Sequence, residues 1–155
     1  MKERITKPQE FKYIYGDFPV EYLYTAGEAL EPFFKTIKEK GRFTGVRCDG
    51  CGFTYVPPTI FCERCFQRIN DTVTVENSGI IESFTISFLD VDGNCLDEPV
   101  IWGLIRLHGA TTTMFHRLLC DPDELDLGLE VIAKFKPKNK RIGGIDDIEG
   151  FIIKK

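Results

Sequence analysis

Four of the six cysteines in this chain fall in one short stretch, at a spacing that can do chemistry. Cys48-Asp49-Gly50-Cys51-Gly52 and Cys62-Glu63-Arg64-Cys65 are two Cys-x-x-Cys pairs with ten residues between them. Each tight turn presents two thiolates on one side and a hairpin can bring the turns together, so Cys48, Cys51, Cys62 and Cys65 can surround one ion. An all-sulfur tetrahedral shell suits zinc or a single iron and leaves no position for a substrate. The expected role of the metal is structural. Such a shell carries a net charge of about −2, and Arg47, Arg64 and Arg68 are near enough in sequence to offset part of it. Gly50 and Gly52 let the first knuckle turn sharply so that amides face sulfur; the second knuckle has no such glycine. Four buried free thiols, or two disulfides, are the alternatives.

The other reactive residues form no comparable pattern. Cys95, Cys120, His108 and His116 are scattered over a loop, a turn and a strand, and structural roles are expected for them. Asp90-Val91-Asp92-Gly93-Asn94 begins like a calcium loop, but Ile101 stands where the bidentate Glu is needed, so a polar turn is expected. The densest basic run is Lys134 to Arg141, in which Lys134 and Lys136 share one strand face while Lys138, Lys140 and Arg141 fall in the loop beyond.

The elements that must position the cysteines come next. Leu30, Phe33, Phe34 and Ile37 fall on one helical face. Pro32 predicts a start near Glu31 and Gly41 the end, with Lys35, Lys38 and Lys40 toward the negative end of the dipole. Thr25-Ala26-Gly27-Glu28 has capping-box spacing, so a separate short turn is expected before it. Phe43 to Arg47 and Phe53 to Val56 should be strands on either side of the first knuckle, the second ended by Pro57-Pro58. From Asp71 onward, strands are expected at 72–75, 80–88, 100–107 after a loop from Asp90 to Pro99, 111–119, 131–136 and 151–153. One helical turn is expected at Asp121-Pro122-Asp123-Glu124-Leu125, with Asp121 as N-cap. About five strands with a short helical turn predict a small Greek-key barrel of the oligonucleotide/oligosaccharide-binding (OB) type. The fold expected is mainly β: an aromatic arm and N-terminal helix (1–42), a rubredoxin-like zinc ribbon (43–70) and a C-terminal OB-fold five-stranded barrel (71–155). The arm carries Phe11, Tyr13, Tyr15, Phe18, Tyr22 and Tyr24, enough aromatic surface to need a cover, from its own domain or from a partner.

At 43% hydrophobic and 28% charged, the chain has the balance of a globular protein. A segment of about 25 residues around the cysteines is too small to fold without its ion. The net charge of −4 and pI near 5.3 weigh against a surface devoted to nucleic acid. Neither a signal-peptide run nor a membrane-spanning stretch is present, and a cytoplasmic protein is expected, where two spare thiols fit better than a disulfide framework.

With helix, ribbon and barrel laid out, the chain resembles the acyl-CoA-associated zinc-ribbon/OB-fold family, long labelled as of unknown function. Arg47-Cys48-Asp49-Gly50-Cys51-Gly52, Pro57-Pro58 before Cys62-Glu63-Arg64-Cys65, Ser78-Gly79-Ile80-Ile81-Glu82-Ser83-Phe84-Thr85, Pro99-Val100 and 121–131 carry the resemblance, which covers nearly everything after residue 25. It implies a non-catalytic accessory subunit of a thiolase-superfamily enzyme, such as benzoylsuccinyl-CoA thiolase or an archaeal thiolase/hydroxymethylglutaryl-CoA synthase complex. It also implies that the OB domain helps hold coenzyme A, shared with the partner, during carbon–carbon cleavage or formation next to a thioester. Lys138, Lys140 and Arg141 are then the candidates for the coenzyme A phosphates, against the simpler reading of a strand edge guarded by lysines. A nucleic-acid module, with Trp102, Phe84, Phe88 or Phe115 stacking bases, and a rubredoxin-like iron electron carrier are the other readings. The aromatics would more simply fill the barrel.

Overall fold

The computed structural model describes Gly16, Glu21 and residues 24–154; Phe11, Tyr13, Tyr15, Phe18 and Tyr22 of the expected arm lie outside the described residues. The first element is the helix α1, Gly27–Lys40. Its expected apolar face is present: Phe33 and Ile37 are fully buried, with Leu30 and Phe34 packed beside them. Gly41 ends it in the left-handed conformation (φ 60°), its N–H donating to the Ile37 carbonyl at 2.9 Å. The start differs from expectation. Helix and preceding turn are one element, the N-cap is Ala26 without a side-chain cap bond, and Pro32 sits inside. Pro32 is tolerated because it lies on the exposed face in the second turn, where the one carbonyl it leaves unmatched can turn to water.

Three strands make the ribbon sheet: β1 (Thr44–Arg47), β2 (Thr54–Tyr55) and β3 (Asp71–Thr74), ordered β2-β1-β3 and antiparallel. β3, expected to open the barrel, instead pairs with β1 through Val46↔Thr72 and Arg47↔Asp71. A strand as short as β2 gives β1 little support, and β3 supplies the missing edge. The Val56–Pro57 peptide is cis.

The remaining strands, β4 (Ser78–Leu89), β5 (Cys95–Leu107), β6 (Met114–Leu118), β7 (Glu130–Phe135) and β8 (Ile148–Ile153), close into a barrel ordered β4-β5-β6-β8-β7. Only the β6–β8 pair is parallel (Leu118↔Phe151), which makes the topology that of an OB-like barrel. The hairpin joining β4 and β5 is longer than expected, with its loop reduced to residues 90–94. Pro99 is carried on β5, in the irregular stretch between the Ser87↔Val100 and Leu89↔Cys95 pairs, where a missing N–H is tolerated. Asp121 caps the turn at Pro122–Glu124 as expected, accepting from the Asp123 N–H.

Inward residues of β5 are Ile101, Ile105 and Leu107, so Trp102 falls on the outer face by alternation. Phe115 and Phe88 are likewise exposed, and only Phe84 of the four aromatics expected to fill the barrel packs against the core. The barrel end is plugged by α1 and its successor. Phe43 is fully buried, and its ring stands 6.1 Å from Phe33, 5.1 Å from Phe135 and 6.2 Å from Phe151. No helix among the described residues is long and apolar enough to cross a membrane.

Candidate metal centre and the basic loop

The ribbon brings all four predicted ligands together. The Sγ atoms of Cys48, Cys51, Cys62 and Cys65 lie within 4.8 Å of one another, with Cys48 to Cys65 at 3.3 Å and Cys51 to Cys62 at 3.5 Å. Sulfurs about 2.3 Å from a tetrahedral zinc stand about 3.8 Å apart, so the set fits one ion. All four are free thiols rather than disulfides.

Local backbone geometry prepares the sulfurs for charge. Gly52 donates to the Cys48 carbonyl at 2.7 Å and Phe66 to the Cys62 carbonyl at 2.8 Å, so each knuckle closes in the same way. Gly52 takes the left-handed conformation at φ 72°; in the second knuckle the matching residue is Phe66, at φ 59°. The glycine absent from the sequence is thus replaced by a strained phenylalanine whose side chain is 82% exposed. Amides of Phe53 and Gln67 favour the thiolates of Cys51 and Cys65, and those of Arg64 and Cys65 favour the thiolate of Cys62.

Tyr55 adds a donor that the cysteine spacing does not reveal. Its hydroxyl stands 3.2 Å from Cys62 Sγ and accepts the Glu63 N–H at 3.2 Å, so its proton faces the sulfur. This contact, chiefly, pulls Cys62 down to about 6 and pushes Tyr55 up to about 12. Cys65 is pushed up to about 12 by its bond to Cys48 and by burial, against the Gln67 amide, because four crowded thiols cannot all ionise without a cation among them. Of the three arginines expected to offset the charge, Arg68 pairs with Glu28 of α1 and Arg64 lies over the Phe53 ring at 4.9 Å.

Residues 36–70 match the family model described as the ChsH2 rubredoxin-like zinc ribbon domain. A DUF35 domain-containing scaffold protein of Methanocaldococcus jannaschii is 27% identical over 105 residues, covering 66% of this chain and 74% of the relative. One of the same description from Methanothermobacter thermautotrophicus is 23% identical over 104 residues, covering 66% and 78%. A crystal structure of a DUF35-family protein of unknown function from Sulfolobus solfataricus is similar at a TM-score of 0.61 and 25% identity, over 83% of this chain and 87% of that one. Together these matches support the DUF35 zinc-ribbon family. A structure described as Ltp2-ChsH2(DUF35) aldolase shares the fold, with a TM-score of 0.58 and 19% identity over 84% of this chain and 98% of that one. In a rubredoxin-like zinc ribbon, four cysteines so positioned support a structural zinc ion.

Elsewhere in the chain the predicted residues are partly separated. Lys138 and Lys140 are exposed on a 3-10 turn at the tip of the loop between β7 and β8. Arg141 turns the other way. Its Nε donates to the Lys136 carbonyl at 2.6 Å, its Nη1 to the Ile37 carbonyl at 3.4 Å, and its guanidinium covers the Phe135 ring at 5.6 Å. The last carbonyls of α1 carry the negative end of the dipole, so that of Ile37, already bonded by the Gly41 N–H, also takes the nearest cation. Asp147, unremarked in the sequence, orders the same loop: fully buried, its carboxylate accepts the N–H groups of Ile142 (2.8 Å) and Gly143 (2.7 Å). Asp90 makes the expected polar turn, accepting from the amides of Asp92 and Asn94 and from the Asn94 side chain. Cys95 is exposed at the β4–β5 hairpin, Cys120 half-buried after β6, His108 paired with Glu130 at 3.2 Å and His116 buried in β6.

Proposed function

We propose that this protein is a non-catalytic accessory subunit that binds a thiolase-superfamily enzyme and helps it hold the coenzyme A part of an acyl-CoA thioester. The observation that carries the reading is the closed four-sulfur site: a metal with no open position builds a surface and does not activate a substrate. The scaffold description of both curated relatives supports it, as does the aldolase named with ChsH2 in the similar structure. The β4–β5 hairpin supports a partner too, since Phe88, Leu89 and Val91 at its tip are exposed. Within this reading Lys138 and Lys140 face the phosphates, while Arg141 holds their loop against α1.

Affinity purification from the native cells, with mass spectrometry and an acyl-CoA thiolysis assay on the eluate, tests the proposal. The expected result is a stoichiometric thiolase-superfamily chain with activity in the eluate. Recovery of nucleic acid or redox proteins in its place would overturn it. Lys138→Glu with Lys140→Glu should leave that complex intact and weaken its affinity for coenzyme A.

A further inference from the structure

The β4–β5 hairpin runs past the barrel that anchors it. β7 pairs with β4 only from Ser78 to Ile80 and β6 with β5 only from Ile101 to Ile105, so among the described residues no strand pairs with the outer edges of the hairpin toward its tip. Within the barrel, Phe84 and Ile86 pack against the core. Side chains alternate along a strand, so Phe88 continues their row beyond the core and is 62% exposed. Leu89 beside it is exposed too, and Val91 at the tip is fully so. A two-stranded ribbon is marginal in water by itself, and this one places its apolar residues where nothing among the described residues covers them.

The tip is nevertheless held in one shape. The Asp90 carboxylate accepts the amides of Asp92 (2.9 Å) and Asn94 (2.8 Å) and the Asn94 side-chain amide (3.0 Å), while the Asp90 N–H donates to the Asn94 carbonyl at 2.9 Å. An apolar tip fixed in advance loses little freedom when it is gripped. Its surroundings carry one sign of charge. Asp90, Asp92, Asp97 and Glu98 are exposed, none of them forms an ion pair among the described residues, and no Lys or Arg occurs between Ser83 and Val100. The β6–β7 connection meets β4 where the Gly128 N–H donates to the Ile81 carbonyl at 2.8 Å, and it too is acidic and free of cations from Asp121 to Asp126. Lys38, Lys40, Lys138 and Lys140 stand at the other end of the barrel. The loop after β7 and the end of α1 both lie near the start of β4, where Asn77 holds the Gly41 carbonyl at 2.9 Å.

We infer that this hairpin is the element that a basic partner grips: Phe88, Leu89 and Val91 enter an apolar depression, and lysines or arginines on its rim meet Asp97, Glu98 and the acids of the β6–β7 connection. The inference rests on the accessory-subunit reading, and the partner is then the thiolase-superfamily enzyme. Like charges oppose hairpin-to-hairpin pairing of two copies, while a surface of opposite sign gains both steering and register.

The test immobilises the zinc-loaded wild-type chain and two variants, Phe88→Ser with Val91→Ser and Asp97→Lys with Glu98→Lys, and challenges each with the same native cell extract over a range of salt. Mass spectrometry measures how much of one thiolase-superfamily chain each retains. The apolar variant should retain about tenfold less at every salt concentration. The charge variant should lose most at low salt, with the difference narrowing as salt screens the rim. All four residues are exposed, and unchanged zinc content and urea unfolding show that the variants fold. Equal retention by the wild type and both variants would overturn the hairpin and leave the accessory role standing. A wild-type chain that retains no thiolase-superfamily protein would overturn the accessory role and the inference with it. Sedimentation showing a wild type that self-associates and an apolar variant that does not would give the hairpin to a second copy of this chain, and would overturn the inference as well.

Discussion

Tyr55 is the residue through which the ribbon reaches beyond its four ligands. A hydroxyl that donates to a ligating sulfur stabilises the thiolate, and such outer partners are typically worth about 10- to 100-fold in metal affinity. Tyr55→Phe should therefore weaken zinc retention by roughly that factor against a competing chelator while the fold persists. Phe66 makes the opposite case, since an exposed side chain gains little at a positive φ that disfavours it. Phe66→Gly should raise the free energy of unfolding read by urea titration, by about 1 kcal/mol after the added chain entropy is subtracted. His116 gives the pH dependence. Burial first, and then the Arg117 charge, lower its affinity for a proton below the ordinary value. As pH falls below about 6.5 the unfolded chain takes up a proton that the folded chain refuses, so this contribution is complete above that pH and is lost on acidification. His116→Asn should flatten the stability profile below about pH 6.5.

At the scale of elements, the helix end and the β7–β8 loop are one construction. A Cβ on Gly41 would lie 2.8 Å from Arg141 Nη1, at a φ of 60° that itself disfavours a side chain. Gly41→Ala should cost roughly 1–2 kcal/mol in urea unfolding, and the loss should shrink when Arg141 is already alanine, because the steric part of the penalty then vanishes. The helix end was legible because a glycine after a lysine-rich turn has a local meaning. Arg141 was not, because its partner Ile37 is 104 residues away and nothing local distinguishes it from Lys138 and Lys140. The same distance hid the role of Thr111 and Thr112, whose hydroxyls bond Thr54 and Val56 and tie the ribbon to the barrel. The outward turn of Trp102 was readable from the alternation of β5, once Ile101 and Ile105 are given the core.

For the whole molecule, the four cysteines and the strand punctuation carried the ribbon and barrel, since both depend on spacing within short stretches. The assignment of β3 to the ribbon depends instead on a pairing with β1 that spacing cannot specify. The ribbon has a small core of its own, in which Val46, Tyr55 and Ile69 pack with Cys48 and Cys62. Ion and fold should be coupled there. Removal of zinc by a strong chelator should expose the amides of 44–74 to hydrogen exchange while those of β4 to β8 stay protected. The central claim, that this chain completes another enzyme, is tested most directly by reconstitution: the proposed thiolase-superfamily partner, purified without the chain, is titrated with it while acyl-CoA turnover is followed. No activity from the chain alone, and turnover rising to a plateau at a fixed molar ratio, is the predicted result. Full turnover by the partner before any addition would contradict it.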